Sequence, residues 1–123
     1  MATVGIIEDS SLVVQMLTMV CEQEGHDVDS YERFEPAAKA FAAQRPDIII
    51  TDLNLPDVDE GATLDELRAI DGLEDTPIVI ISGRPRQELE ELADDAGAQG
   101  ALSKDDGMPV ISSELPPMID ELV

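Results

Sequence analysis

Aromatic residues are nearly missing from this sequence: Tyr31, Phe34 and Phe41 are the full set, 2% of 123 positions, and tryptophan is absent. Any core must therefore be aliphatic, built from Ile, Val, Leu, Met and Ala, which suits a layered α/β domain. Cysteine is confined to Cys21, so no internal disulfide can form, and within an apolar helical pattern the thiol reads as buried and inert. Basic residues are scarce: seven against 28 acidic ones, a formal net charge of -21, with Lys39 and Lys104 the only lysines. That balance repels phosphate backbones and anionic lipid surfaces, which argues against direct nucleic-acid or membrane binding. No apolar run approaches the roughly 20 residues of a membrane span, and the N-terminus MATVGIIED lacks a basic segment before an apolar stretch, so the expectation is a soluble, cytoplasmic protein. Such charge opposes compaction unless salt screens it. A high-salt cytoplasm, as in a halophile, is the expected setting; the alternative is an acidic protein whose negative surface faces a partner.

Against these absences stands a regular alternation of short apolar runs and helical stripes. Val4 to Ile7 reads as a strand stopped by Glu8 and Asp9, and Ser10 or Ser11 caps a helix carrying Leu12, Val13, Met16, Leu17 and Val20, ending near Gly25. His26, beside Gly25, reads as a surface loop residue. Asp27 to Tyr31 is a weaker strand, and Phe34, Ala37, Ala38 and Phe41 share one face of a second helix stopped by Pro46. Asp47 to Thr51 is a third strand, apolar at every position from Ile48 to Ile50, the mark of a strand covered on both faces. After Gly61, a third helix uses Leu64, Leu67 and Ile70; Ile78 to Ile81 is a fourth strand; Pro85 opens a helix with Leu89, Leu92, Ala93 and Ala96, stopped at Gly97. Gly100 to Ser103 is a fifth strand. Ser112 or Ser113 then opens a last helix to Val123, with Pro116 and Pro117 in its first turn. Five strand-helix pairs without repeat or linker predict one domain over 1–123, with no output domain, built on a parallel sheet between two helical layers.

In such sheets ligands bind beyond the carboxyl ends of the strands. The residues at those ends are Glu8 and Asp9, Asp52, Ser82 and Lys104. Three clustered carboxylates repel one another unless a cation compensates them. Magnesium is the fitting cation, because it takes oxygen ligands and usually shares a few carboxylates with a phosphate oxygen. Ser82 and Lys104 could then hold the remaining oxygens of a phosphoryl group.

The segments IIEDS, IIITDLNLPD with Gly61 soon after, PIVIISG and GALSK, in this order and spacing, resemble the receiver domain of two-component response regulators over nearly the whole chain. The resemblance implies a flavodoxin-like doubly wound sheet of strand order 2-1-3-4-5, with helices on both faces. It implies that Asp52 is the phosphoacceptor, that Glu8, Asp9 and Asp52 hold Mg2+ with the Asn54 backbone carbonyl, that Ser82 bonds the phosphoryl oxygen and drives the switch, and that Lys104 pairs with the phosphate. Asn54 and Arg84 stand where dephosphorylation is tuned. The implied partners are a sensor histidine kinase or phosphotransfer protein and a downstream protein. The implied activity is a phosphorylation-dependent switch in phosphorelay signalling, not an enzyme beyond limited self-phosphorylation and autodephosphorylation.

The sequence departs from the family in three places. Ala101 stands where a switch aromatic is usual, Asp105 where a proline usually follows the lysine, and the loop from Asp52 to Gly61 is one residue longer, with Asp57, Asp59 and Glu60 expected to crowd the rim. These departures keep open a pseudo-receiver, an interaction module without phosphorylation. An aspartyl-nucleophile phosphatase is a further alternative, although EDSS does not match its DxDxT pattern and a cap insertion is lacking.

Overall fold

The computed structural model describes residues 2–123, apart from the side chain of Glu60. The chain alternates β1 (Thr3–Ile7), α1 (Ser11–Gln23), β2 (Asp27–Tyr31), α2 (Phe34–Ala43), β3 (Ile48–Asp52), α3 (Thr63–Arg68), β4 (Ile78–Ser82), α4 (Arg86–Ala96), β5 (Gly100–Ser103) and α5 (Met108–Leu122). Short 3-10 turns at Glu60–Ala62 and Lys104–Asp106 precede α3 and α5. The strands form one parallel sheet in the order β2-β1-β3-β4-β5. The reversal of order next to β1 puts the ends of β1 and β3 side by side at the carboxyl rim.

The all-apolar strands are explained by alternation. Ile48 and Ile50 pack with Leu17, Val20, Ile111, Leu115 and Ile119 on the α1/α5 side, whereas Ile49 packs with Phe41, Leu64, Leu67 and Leu89 on the other. Both faces are covered, so neither needs polar positions. On β1 the same alternation puts Gly5 beneath α2, where a Cβ would stand 2.5 Å from the tip of the Phe41 ring. Glycine is required there so that the ring can lie on the strand, edge-on to Tyr31 at 5.6 Å.

Local signals explain several helix ends. The Ser10 hydroxyl accepts the Val13 N–H and begins α1, and Gly97, at φ 79, closes α4 in the left-handed conformation. Three expectations are corrected. α5 begins at Met108, well before Ser112, because Gly107 (φ 87) turns the chain and Pro109 fits the first turn, where no intrahelical N–H partner is needed. Pro116 and Pro117 therefore lie inside the helix. The carbonyls they leave without partners belong to Ser112 and Ser113, which are exposed and open to water, while Ile111, Leu115 and Ile119 bury the opposite face. β3 runs one residue further than expected and ends with Asp52 still in the ladder, opposite Ile81. His26 is buried, its Nδ1 accepting the Ala2 N–H at 3.0 Å and its own N–H donating to the Cys21 carbonyl at 3.1 Å, which ties it to the end of α1 and to the residue before β1. Cys21 is buried as expected, and burial pushes its thiol up to about 11. No helix among the described residues is long and apolar enough to cross a membrane.

Candidate functional site

At the carboxyl rim the strands deliver Glu8 and Asp9 from β1, Asp52 from β3, Ser82 from β4 and Lys104 from β5. One carboxylate oxygen from each of Glu8, Asp9 and Asp52 lies within 4.8 Å of the others. Glu8 is fully buried, Asp52 is 3% exposed, and Asp9 faces solvent, so the cluster is open on one side.

Backbone bonds hold these groups. The Glu8 N–H donates to the Tyr31 carbonyl at 2.9 Å, which ties the end of β1 to β2, and Glu8 Oε2 accepts the Ser10 N–H at 3.2 Å. Asp52 Oδ1 accepts the Asn54 N–H at 3.0 Å and Oδ2 accepts from Lys104 Nζ at 3.1 Å, so each carboxylate oxygen has a donor and the plane of the group is set. Lys104 Nζ also stands 2.6 Å from Glu8 Oε1, so the same ammonium forms an ion pair with this fully buried carboxylate.

The electrostatics follow from burial. Desolvation, opposed by the Lys104 contact and reinforced by the neighbouring Asp52 carboxylate, raises Glu8 from 4.5 to about 7. Burial lowers Lys104, but Glu8 and Asp52 outweigh it and the ammonium is held above its usual range. Lys104 is thus the local counter-charge of the acidic cluster. Three carboxylate oxygens within 4.8 Å of one another, with a single ammonium beside them, suit a hard divalent cation.

The remaining predicted residues lie on the strands and loops beside this centre or, for Ala101, within β5. Ser82 is 6% exposed and its hydroxyl oxygen accepts the Arg84 N–H at 3.4 Å. The Arg84 guanidinium pairs with Glu88 at 3.0 Å, along α4. Asn54 is exposed just beyond Asp52. Ala101 is buried in β5 beside Gly100, where the Met118 thioether packs so closely that a Cβ on Gly100 would meet Sδ at 2.9 Å.

One residue has no counterpart in the sequence reading, and one is placed elsewhere than expected. Ser103, 1% exposed, donates from its hydroxyl to the Arg84 carbonyl at 2.6 Å and accepts the Asp105 N–H at 3.2 Å, joining the loops that carry Ser82 and Lys104. A serine capping the Lys104–Asp106 turn was the available signal. Asp57, expected on the rim, is outside the acidic cluster: its carboxylate accepts the N–H groups of Phe34 and Glu35 at 2.8 and 2.9 Å. Nothing local marks that bond, since the partners lie more than 20 residues away in sequence. The Glu60 side chain, also expected on the rim, lies outside the described residues.

A family model described as the response regulator receiver domain matches residues 4–115. Among curated proteins, the KDP operon transcriptional regulatory protein KdpE of Escherichia coli K12 is 31% identical over 115 residues, covering 94% of this chain and 50% of that protein. The transcriptional regulatory protein CssR of Bacillus subtilis 168 is 30% identical over 102 residues, covering 83% of this chain and 44% of its own. The chain thus spans about half the length of these relatives. Solved structures share the fold. The Vibrio cholerae chemotaxis protein CheY4 superposes with a TM-score of 0.80 at 24% identity, over 96% of this chain and 98% of that one. A receiver domain protein of Clostridium thermocellum gives 0.82 at 23% identity, over 99% and 94%.

Proposed function

This chain belongs to the response regulator receiver domain family, whose members serve phosphorylation-based signalling, and from that premise we propose that Asp52 is the phosphoacceptor of a switch that a histidine kinase or phosphotransfer protein drives. One observation carries the reading: one oxygen from each of three carboxylates, at the ends of two neighbouring strands, lies within 4.8 Å of the others, with Lys104 Nζ 3.1 Å from Asp52 Oδ2.

An Asp52 carboxylate oxygen attacks the phosphorus of the donor; a P–O bond forms, the donor's bond to phosphorus breaks, and the leaving group departs with its electron pair and takes up a proton. The Asn54 N–H and Lys104 fix the carboxylate plane for in-line approach. Lys104, already beside Asp52, neutralises charge on the arriving phosphoryl oxygens, and the Ser82 O–H donates to another. Glu8, Asp9, Asp52 and the Asn54 carbonyl are the residues that would hold Mg2+, which supplies charge neutralisation across the transferring group. Hydrolysis returns the carboxylate and inorganic phosphate, with the Asn54 amide orienting the attacking water and Arg84 at the second position that tunes the rate.

The output differs from the aromatic-coupled form of the family. Ala101 has no ring to move, so a shift of Ser82 passes to the Ser103 clip and the loops it joins. The downstream partner reads that change on a neighbouring helix face. Acidity over the surface disfavours a nucleic acid as the direct ligand of this domain.

Incubation with acetyl phosphate and Mg2+, followed by intact mass, should add one phosphoryl group to wild type and none to Asp52→Asn. An unchanged wild-type mass would instead favour an interaction module that accepts no phosphate. Multiple turnover of a phosphomonoester would favour a phosphatase.

A further inference from the structure

The loop after Asp52 is fastened at its far end to α2. Asp57 Oδ1 accepts the Phe34 N–H at 2.8 Å and Oδ2 accepts the Glu35 N–H at 2.9 Å, which satisfies two donors of the first helical turn. The residue at the N-cap itself, Arg33, makes no side-chain capping bond. A cap drawn from a loop does what a local serine or aspartate cannot: it ties two distant segments together.

Between its ends this stretch is tightly held. Leu53 and Leu55 are buried at 4% and 6%, and Val58 packs on the same apolar cluster. Asn54 sits exposed between the leucines with its N–H on Asp52 Oδ1 at 3.0 Å. Two carboxylates accepting backbone N–H groups, Asp52 and Asp57, therefore bracket the segment that presents Asn54. Loss of Asp57 would leave the leucines and the single Asp52–Asn54 bond to hold it.

We propose that Asp57 is a positioning residue for the divalent-metal pocket, and that its clamp couples metal binding to order in the first turn of α2. The inference rests on the reading given above, in which the Asn54 carbonyl is a metal ligand. Coupling of this kind is reciprocal: the factor by which the clamp raises metal affinity is the factor by which the metal stabilises the clamp. A plain helix cap has no such property.

The experiment titrates Mg2+ alone into wild type, Asp57→Ala, Asp57→Asn and Ala38→Gly by calorimetry, and measures amide exchange at Phe34 and Glu35 with and without Mg2+. Ala38→Gly weakens α2 through helix propensity without touching the loop. Asp57→Ala should raise the Mg2+ Kd about fivefold, within the range that loss of one cap permits. Asp57→Asn, whose amide oxygen replaces one of two acceptors, should fall between it and wild type, and Ala38→Gly should leave the Kd unchanged. In wild type, Mg2+ should slow exchange at Phe34 and Glu35 by a similar factor, a readout that needs no variant. An equal Kd in Asp57→Ala and wild type, an equal rise in Ala38→Gly, or exchange at both amides indifferent to Mg2+ would each reduce Asp57 to a helix cap while leaving the metal pocket standing. Absence of Mg2+ binding to wild type would overturn the pocket and this inference together.

Discussion

Lys104 Nζ lies 2.6 Å from Glu8 Oε1, although Lys104 follows β5 and Glu8 follows β1, two strands that are not neighbours in the sheet. The same Nζ lies 3.1 Å from Asp52 Oδ2, at the end of β3, which stands between them in the sheet. One ammonium thus serves two buried carboxylates. Several consequences can be measured.

Lys104→Met removes that counter-charge and leaves Glu8 buried without it. At pH 8 the variant should lose about 2 kcal/mol of stability, less than the full cost of breaking a buried pair because Lys104 is partly exposed. At pH 6 the loss should be smaller, since Glu8 then carries a proton. Urea unfolding at both pH values reads the difference; a loss independent of pH would show that the ion pair with Glu8 contributes little.

Glu8 makes metal affinity depend on pH. Its folded pKa, about 7, lies above the ordinary 4.5, so between these values the folded state binds more protons than the unfolded one. The Glu8 contribution to metal-free stability is therefore favourable at low pH and is lost as pH rises through that window. Mg2+ requires the carboxylate and displaces the proton, so below pH 7 its affinity should fall by up to about tenfold per pH unit. Calorimetric titration from pH 5 to 8 should show this slope in wild type and a flatter one in Glu8→Gln. Equal slopes would remove Glu8 from the linkage.

Arg68 organises the opposite rim. Its guanidinium donates to the carbonyls of Leu73, Thr76 and Gly97 and to Gln99 Oε1, at 2.6 to 3.0 Å. Arg68→Ala should cost about 2 to 3 kcal/mol, and Arg68→Lys should recover less than half, because a single ammonium cannot match the planar fork. Phosphoryl uptake should persist in both. Loss of uptake with stability intact would reveal a link between the rims that the contacts do not predict.

The net charge of -21 sets the response to salt. Screening weakens exposed pairs such as Lys39–Glu35, worth a few tenths of a kcal/mol each, but it relieves repulsion among far more numerous acids. Raising KCl from about 0.1 M to about 2 M should lift Tm by roughly 5 °C, about 1 kcal/mol or slightly more at this length. A flat or falling Tm would mean that the acidic excess serves a partner instead of a saline setting.

How much was legible in the chain depends on the range of the interaction. The five strands, their apolar centres and the residues at their ends follow from periodicity and turn chemistry within about ten positions, and right-handed parallel connections then bring those ends to one rim. That is why Glu8, Asp9, Asp52, Ser82 and Lys104 could be named together from sequence. α5 starts ahead of Ser112 and Ser113, which resemble caps, because Gly107 and Pro109 make the turn. His26 reads as a loop residue in sequence because the N–H its ring accepts belongs to Ala2, far from it along the chain. The reach of Lys104 to Glu8, the Ser103 clip and the turn of Asp57 toward α2 are decided by tertiary structure alone. Each joins groups far apart in sequence, and such a bond forms only where packing has already set the distance and direction between donor and acceptor.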